Sequence, residues 1–279
     1  MQLVKLAPIH IQDCYSALAE GGRRDGKPGG LSPRTRRQIH AVLSGALGRA
    51  VELQLLARNP AEAFKKRQPR IERTEMTALT VEQGQRLLAA LRHSHVYWPV
   101  LLALTTGMRR GEVLAHRWKH LGDNSGTVHV VESLEQTKAG LRFKPPKNGR
   151  TRTVTLPAFA IEELRRLRRE QSEGLLALGI RQSGDTLLCP GADGEPRQPR
   201  SLTHEFSVLM ARLKDLPRVR FHDLRHSHAT QLLAAGLHPK VAQDRLGHST
   251  ITTTMDIYSH VTAQMQDDAA ARIDAAYKT

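Results

Sequence analysis

Between Phe221 and Val261 the chain reads F-H-D-L-R-H-S-H-A-T-Q-L-L-A-A-G-L-H-P-K-V-A-Q-D-R-L-G-H-S-T-I-T-T-T-M-D-I-Y-S-H-V. The leucine spacing predicts a helix that buries one face and ends at Gly236. Pro239 then suits the first turn of a second helix, and Gly247 suits its C-terminal cap. The stretch therefore predicts two short helices joined by a tight turn.

Four polar side chains stand out in this stretch. His222 and Arg225 are three residues apart, so they lie one turn apart on one side of a helix. His248 follows the end of the second helix, and Tyr258 comes ten residues later. Neither a core helix nor a solvated face needs this pattern, although spacing alone does not bring all four together.

The composition indicates a partner with many negative charges. Among 279 residues, 42 Lys and Arg face 27 Asp and Glu, which gives a net charge of +15 and a pI near 10.5. Nucleic acid fits such an excess better than a membrane surface does, although a solvated basic surface is the plain alternative. Because aromatic residues make up only 4%, duplex DNA is a better candidate than single strands stacked on aromatic rings.

The cysteines and the apolar runs indicate a cytoplasmic protein. Cys14 and Cys189 are far apart and neither belongs to a C-x-x-C pair, so we expect neither a disulfide framework nor a zinc site. We expect no membrane span and no signal peptide, because no apolar run has the required length.

The N-terminal part reads as a small helical domain, which we set at residues 1–68. A helix begins after Ser32 with proline at its first position, and Asn59-Pro60 should end it. Basic residues on one flank of this helix and just beyond it are candidate phosphate contacts, namely Arg36, Arg37, His40, Lys65, Lys66 and Arg67. The polar, charged segment 61–79 contains the predicted interdomain linker, 69–79.

The second predicted domain covers residues 80–265 and is mainly helical. T-V-E-Q at Thr80 is a capping box, and a nearly continuous apolar helix should stop at Gly107. Arg109 and Arg110 then lie at a junction before a helix that Leu114 and Trp118 should anchor.

Two β-branched segments, G-T-V-H-V-V and R-T-V-T-L, predict antiparallel strands with the tip of their hairpin at Lys147-Asn148-Gly149. The fold class is therefore mainly α with a small antiparallel β-sheet (α+β).

An ordered set of motifs carries a family resemblance. T-G-M-R-R-G-E-V-L, F-H-D-L-R-H-S-H-A-T, L-G-H-S-T-I-T-T-T and Y-S-H resemble the tyrosine site-specific recombinase (phage integrase) family over residues 75–265. The resemblance implies a catalytic domain of the tyrosine recombinase and type IB topoisomerase-like fold. The stretch S-P-R-T-R-R-Q-I-H-A-V-L-S-G-A-L resembles the second half of the family's core-DNA-binding domain, so this domain starts late here.

The resemblance implies six catalytic residues, which are Arg109, Lys147, His222, Arg225, His248 and Tyr258. The two arginines would clamp the scissile phosphate, since a guanidinium donates two parallel hydrogen bonds. The histidines would bond the same phosphate, with His222 as general base, and the lysine would protonate the departing 5′ oxygen. The tyrosine would form a 3′-phosphotyrosyl bond. Arg110, next to Arg109, is predicted to be a structural residue or a general phosphate contact rather than a catalytic one.

Elementary chemistry gives a reason for such a set. Ionising a phenol of pKa about 10 at pH 7 costs about 4 kcal/mol, so nearby cations and a base must offset this cost. Preorganised cations also stabilise the negative charge of the transition state. The set therefore implies no cofactor and no metal.

Some assignments have close competitors. Lys138 and Lys144 lie near Lys147 and could take its part. His222 and His226 have the spacing of zinc ligands, but no carboxylate or cysteine completes a site. Glu112 is a candidate to orient an arginine, or else a surface residue.

The implied partner is double-stranded DNA, bound by a homo-tetramer that could be a monomer when free. Residues 266–279 form a possible terminal helix, which in the family docks on a neighbouring subunit. Three other functions stay open: a DNA-binding regulator of helix-turn-helix type, an inactive recombinase that binds without cutting, and a relaxing topoisomerase. Because the N-terminal domain is shortened, recombination activity stays open, whereas the chemistry of the second domain does not depend on this domain.

Overall fold

The computed structural model describes residues 2–23, 25–71, 77–122, 126–191, 193–252, 254, 255, 257, 270, 273, 274 and 277, except for the side chain of Asn148. The chain forms two compact units, 1–75 and 76–279. This division falls inside the predicted linker 69–79, while the assignment of each domain stays a prediction.

The described part of the first unit contains two α-helices, α1 (Pro8–Glu20) and α2 (Pro33–Glu52). As predicted, Ser32 caps α2, and its Oγ accepts a hydrogen bond from the backbone N–H of Thr35 at 3.2 Å. A small apolar cluster joins the two helices to the following segment and consists of Ile11, Leu47, Ala61 and Phe64.

Helix α2 ends earlier than predicted. The prediction that it continues to Asn59 is wrong, because the helix stops at Glu52 and the backbone of Gln54 is left-handed, with φ of +58°. Asn59 instead joins the returning segment to the helix, donating from Nδ2 to the carbonyl of Ser44 at 2.9 Å. The turn therefore follows from a side-chain contact that local sequence does not announce.

Within its described residues, the second unit contains seven α-helices with defined bounds: α3 (Val81–Leu91), α4 (Tyr97–Thr106), α5 (Arg110–Ala115), α6 (Ala158–Ala177), α7 (Pro199–Arg212), α8 (Asp223–Ala234) and α9 (Pro239–Leu246). The predicted capping box is present, since Thr80 and Gln83 each accept from the other's backbone N–H, at 3.2 and 3.0 Å. The predicted boundaries of α8 and α9 at Gly236 and Gly247 are also present.

Helix α4 forms the centre of the core and ends where predicted. Val100 and Leu101 are fully buried, and Gly107 caps the helix with φ of +67°. A side chain at Gly107 would meet Leu246 and His228 at 2.6 and 2.7 Å, so both its space and its backbone require glycine.

Helix α5 is shorter than predicted. It ends at Ala115, and Trp118 belongs to the following 3-10 turn, Trp118–His120. The prediction that Leu114 and Trp118 share a helix is therefore wrong, although both side chains are buried in the main core.

Among the residues that the structure describes, the strands form two sheets rather than one. β1 (Thr127–Val130) pairs antiparallel with β4 (Arg152–Thr155), and β2 (Ser133–Thr137) with β3 (Gly140–Lys144). The predicted partners are confirmed, but the predicted hairpin tip is wrong, because the β2–β3 hairpin lies between β1 and β4 in the chain.

This hairpin is held by charge pairs across its strands. Glu135 accepts from Arg142 and Lys144 at 2.6 Å each. The segment Lys147–Gly149 is a 3-10 turn between β3 and β4. The fold class, mainly α with a small antiparallel β component, is confirmed. No helix within the described residues is long and apolar enough to cross a membrane.

Candidate active site

The last turn of α9 gathers three arginines from distant parts of the second unit. The carbonyl oxygens of residues 245, 246 and 247 accept hydrogen bonds from Arg152, Arg225 and Arg109, at 2.9, 2.6 and 3.1 Å respectively. The last carbonyls of a helix have no partner within the helix and carry partial negative charge. They therefore fix cations at this point.

Arg225 lies deepest of the three. The residue is 5% exposed, and its second donor, Nη1, bonds the carbonyl of Gly107 at 2.6 Å. Burial, and then the nearby charge of Arg109, lower the pKa of Arg225 to about 9. The guanidinium therefore stays charged at neutral pH, and its two backbone bonds fix its plane.

Arg109 and Arg152 share one buried carboxylate. Glu112, whose side chain is 1% exposed, accepts from Arg109 Nη1 at 2.9 Å and from Arg152 at 2.7 and 3.2 Å. It also accepts from the backbone N–H of Arg109 at 2.8 Å, which caps α5. Of the two roles left open for Glu112, the structure has the one that orients an arginine.

Two histidines border this cluster. His248 directly follows the α9 cap, and its Nδ1 lies 2.9 Å from the hydroxyl oxygen of Thr254. Burial, with the charges of Arg225 and Arg109, lowers the pKa of His248 to about 4. His222 directly precedes α8 and is classed as exposed, but partial loss of hydration around its ring, and then the charge of Arg225, lower its pKa as well. Both rings are therefore neutral at pH 7.

The four predicted residues Arg109, His222, Arg225 and His248 thus lie together, with Arg152 and Glu112 as additional members. Three guanidiniums against one carboxylate leave a local excess of positive charge. Arginine has five N–H donors, and the bonds described above use two on Arg109 and two on Arg225. The site can therefore offer further donors to an anion, beside two neutral imidazoles.

The remaining two predicted residues are placed differently. Lys147 is exposed at the start of the 3-10 turn before β4, five residues from Arg152. Tyr258 lies outside the described residues. The residue before it, Ile257, is 6% exposed and belongs to an apolar cluster with Leu233 and Leu246 of α8 and α9.

Sequence reasoning missed Arg152 and Arg245. Arg152 carried a signal, because it shares a face of β4 with Val154, and Val154 is buried. Arg245 carried none: its Nε donates to Nε2 of buried His228 at 3.1 Å, and its Nη2 reaches the carbonyls of Thr105 and Thr155. Such a contact between four elements is visible only in three dimensions.

The predicted DNA contacts differ in exposure. Arg37, Lys65, Lys66 and Arg67 are exposed, and Arg36 is half-buried. Their contact with DNA stays a prediction.

The placement of His40 on the exposed flank is wrong. His40 is 9% exposed, and its Nδ1 lies 2.7 Å from the hydroxyl of Tyr15, so the ring packs between α1 and α2. Arg110 is half-buried at the start of α5 and donates to the hydroxyl of Thr203. Burial, and then the charge of Arg200, lower the pKa of Arg110.

Within the described residues, no group of three or more His, Cys, Asp and Glu side chains is arranged to hold a metal ion.

Comparison with known proteins finds relatives that are named integrases or tyrosine recombinases. The model of the phage integrase family matches residues 77–265. The ICEBs1 integrase of Bacillus subtilis (strain 168) is 28% identical over 248 residues, which are 88% of this chain and 66% of that protein. A tyrosine recombinase XerC-like protein of Caldanaerobacter subterraneus subsp. tengcongensis is 26% identical over 292 residues, 98% of this chain and 72% of that protein. The chain thus spans about two thirds of the length of these relatives.

Solved structures share the fold. The Tn1549 transposon integrase in complex with transposon right end DNA has a TM-score of 0.79 at 20% identity, over 99% of this chain and 87% of that one. A lambda integrase dimer bound to a COC′ core site has a TM-score of 0.66 at 18% identity, over 92% of this chain and 81% of that one.

Proposed function

Because the chain belongs to the phage integrase family, we propose that it breaks and rejoins duplex DNA through a covalent bond between Tyr258 and a 3′ phosphate. The main support is the meeting of Arg109, Arg225, His222 and His248 at the end of α9, from segments more than one hundred residues apart. A regulator that only binds DNA has no need for two fixed guanidiniums beside two neutral imidazoles.

The two arginines bind the scissile phosphate. Each already has two donors bonded to backbone carbonyls or to Glu112, so its remaining donors are held in direction before DNA arrives. Charges that need no reorganisation stabilise the developing negative charge of the transition state more than mobile charges do. His248 adds a neutral N–H donor, since Thr254 holds one ring nitrogen.

The cleavage step transfers the scissile phosphoryl group from the 5′ oxygen of the next nucleotide to the phenol oxygen of Tyr258. The phenol oxygen of Tyr258 attacks the phosphorus atom while His222, neutral at pH 7, accepts the phenol proton. The bond from phosphorus to the 5′ oxygen of the next nucleotide breaks, and Lys147 gives a proton to that oxygen. A 3′-phosphotyrosyl bond and a free 5′ hydroxyl result.

Rejoining reverses these steps with another 5′ hydroxyl as the attacking group. The phosphodiester energy is kept in the protein–DNA bond, so the cycle uses neither ATP nor a nuclease. We propose that it also needs no metal ion, because arginine, histidine and lysine side chains supply the positive charge and the proton transfers.

The proposed substrate is a specific duplex site at the end of a mobile element, where the reaction integrates or excises the element. Two similar proteins support this, since one is named an ICEBs1 integrase and another is a Tn1549 transposon integrase solved with transposon right end DNA. The exposed cations Arg37, Lys65, Lys66 and Arg67 of the first unit would contact the phosphates of the same duplex.

We propose a homo-tetramer on DNA, joined by the C-terminal tail. Within the tail, Ile273 and Tyr277 are helical and four residues apart, and they are 60% and 85% exposed. The second unit also has an apolar groove of about 510 Å³ between α3, α8 and the start of α6, with Val81, Leu88 and Phe159 in its lining. This groove has the right chemistry to receive such a tail from a neighbouring subunit.

A suicide duplex tests the function. The duplex carries the element's end sequence and a phosphorothiolate at the scissile position, so that the leaving group cannot attack in reverse. Wild type should form a covalent protein–DNA adduct in EDTA, and Tyr258→Phe should form none, because it lacks the nucleophilic oxygen. On a paired site, the crosslinked assembly should contain four chains.

The other outcomes select the other functions. Binding to the duplex without any adduct would favour a regulator or an inactive recombinase. Adduct formation with relaxation of supercoils but no exchange between two duplexes would favour a topoisomerase. An adduct that appears only with added Mg²⁺ would refute metal independence alone.

A further inference from the structure

We propose that Arg152 is a positioning residue, which fixes the guanidinium of Arg109 through the buried carboxylate of Glu112 and does not bind DNA itself. The inference rests on the proposed function, because it gives Arg152 a part in the same reaction.

The contact between Arg152 and Glu112 is bidentate and buried. Two nitrogens of Arg152 reach the two carboxylate oxygens at 2.7 and 3.2 Å, and the side chains are 8% and 1% exposed. All three guanidinium nitrogens of Arg152 already donate within the protein, Nε to the carbonyl of Arg245 and Nη1 and Nη2 to Glu112, so its fork is occupied by a carboxylate. Its interaction instead sets the plane of the carboxylate, since a guanidinium and a carboxylate align when both pairs of atoms bond.

Glu112 carries this orientation to Arg109. The same carboxylate accepts from the backbone N–H and from Nη1 of Arg109 at 2.8 and 2.9 Å. Burial by itself would raise the pKa of Glu112, but hydrogen bonds and charge from Arg152, and then from Arg109, hold it below its ordinary value. Without Arg152 the buried carboxylate of Glu112 would lose the partner that stabilises its charge most. Its orientation, and with it the orientation of the Arg109 guanidinium, would then no longer be fixed.

Arg152 also contacts the second anchor of Arg109. Its Nε bonds the carbonyl of Arg245 at 2.9 Å, and a Cβ placed on Gly247 would lie 3.1 Å from its Cδ. Gly247, with φ of +66°, offers the carbonyl that Nη2 of Arg109 uses. One side chain thus packs against both groups that hold Arg109, and this arrangement distinguishes Arg152 from an ordinary buried ion pair.

The experiment compares rate with affinity. On the suicide duplex at saturating concentration, Arg152→Gln should form the adduct about 10- to 100-fold more slowly, because a small misplacement of a clamping group costs this much. The dissociation constant for the duplex should stay within about twofold, because binding of duplex DNA sums over many cations and Arg109 is one of them. Arg152→Lys keeps the charge but loses the two-pronged guanidinium, so its rate of adduct formation should lie between those of wild type and Arg152→Gln.

A second background separates positioning from general damage. In an Arg109→Lys protein the guanidinium that Arg152 orients is gone, so adding Arg152→Gln should slow the remaining reaction by less than about twofold. Equal factors in both backgrounds would overturn the proposal, as would a loss of affinity that matches the loss of rate.

Arg197→Gln is the matched control. Arg197 is also buried, donates to the carbonyl of His95 at 2.8 Å and pairs with Glu205, and none of its bonds in the described part of the chain reaches the arginine cluster. Its variant should lose stability without losing rate in the folded protein. Thermal unfolding measures the folded fraction of each variant. If Arg152→Gln does not fold, Arg152→Lys replaces it in both the wild-type and the Arg109→Lys backgrounds. An inactive wild type would instead contradict the proposed function, whereas a wild-type rate in folded Arg152→Gln would contradict only this inference.

Discussion

Two groups of cations, one in each unit of this chain, are held in opposite ways. In the second unit, Arg109, Arg152 and Arg225 are bonded to the carbonyls of α9 or to a buried carboxylate. In the first unit, Lys65, Lys66 and Arg67 are exposed. Fixed cations suit a transition state with one geometry, whereas exposed cations suit a polyanion that can be met in many ways.

The largest expected effect comes from the fixed cations. Arg225→Gln should slow adduct formation on the suicide duplex by about 10³-fold, since removal of a fixed transition-state cation has this order of effect. Affinity for the duplex should change little, because the other phosphate contacts remain. Gel quantification of the adduct over time, beside a binding titration, measures both.

Arg225→Lys keeps the charge but cannot make both carbonyl bonds in the same plane, so it should recover only part of the rate. An affinity loss as large as the rate loss would break the contrast between the units, because Arg225 would then act as an ordinary phosphate contact.

The next effect concerns the neutral state of the buried imidazoles. His228, which donates from Nδ1 to the carbonyl of Leu104 at 2.7 Å, has a pKa lowered to about 4 by burial and then by Arg245. An unfolded histidine has a pKa near 6.5. Below that pH the unfolded chain binds more protons than the folded chain, so the free energy of unfolding decreases as the pH decreases. His228 alone should account for a loss of about 3 kcal/mol, complete near pH 4.

Urea unfolding followed by tryptophan fluorescence measures this loss in the second unit, because Trp98 and Trp118 both belong to it. The free energy of unfolding should be level above pH 7 and fall from about 6.5 towards 4. His228→Gln should be less stable at pH 7 and show a shallower slope. An unchanged slope in that variant would mean that His228 is not held neutral.

The smallest effect should come from the exposed cations. Replacing Lys65, Lys66 and Arg67 together by Gln should weaken duplex binding by about tenfold and reduce the salt slope by about one for each phosphate that is no longer neutralised. The adduct rate at saturating DNA should stay the same. Arg49→Gln is a control, since Arg49 is exposed but already paired with Glu52 at 2.6 Å. A changed rate at saturation would show that these cations also shape the active site.

The structure corrects the sequence predictions mainly where distant parts of the chain meet. Capping signals near in sequence were sufficient for Ser32, Thr80, Gly107 and Gly247, because the bonds they predict join residues within a few positions. The end of α2 was missed because it depends on the contact of Asn59 with Ser44, fifteen residues away. His40 was placed on an exposed flank because helical spacing gives a direction but not the neighbour, here Tyr15, that covers it.

The sequence by itself determined the family, the helical fold class and the identity of the candidate catalytic residues, because ordered motifs and local capping do not depend on contacts. The tertiary structure decided what holds those residues. It brought the carbonyls of α9, Glu112 and Arg152 together from segments 40 to 138 residues apart. No local spacing encodes such distances, because each bond forms only after the core around α4 has packed the helices and β4 against one another.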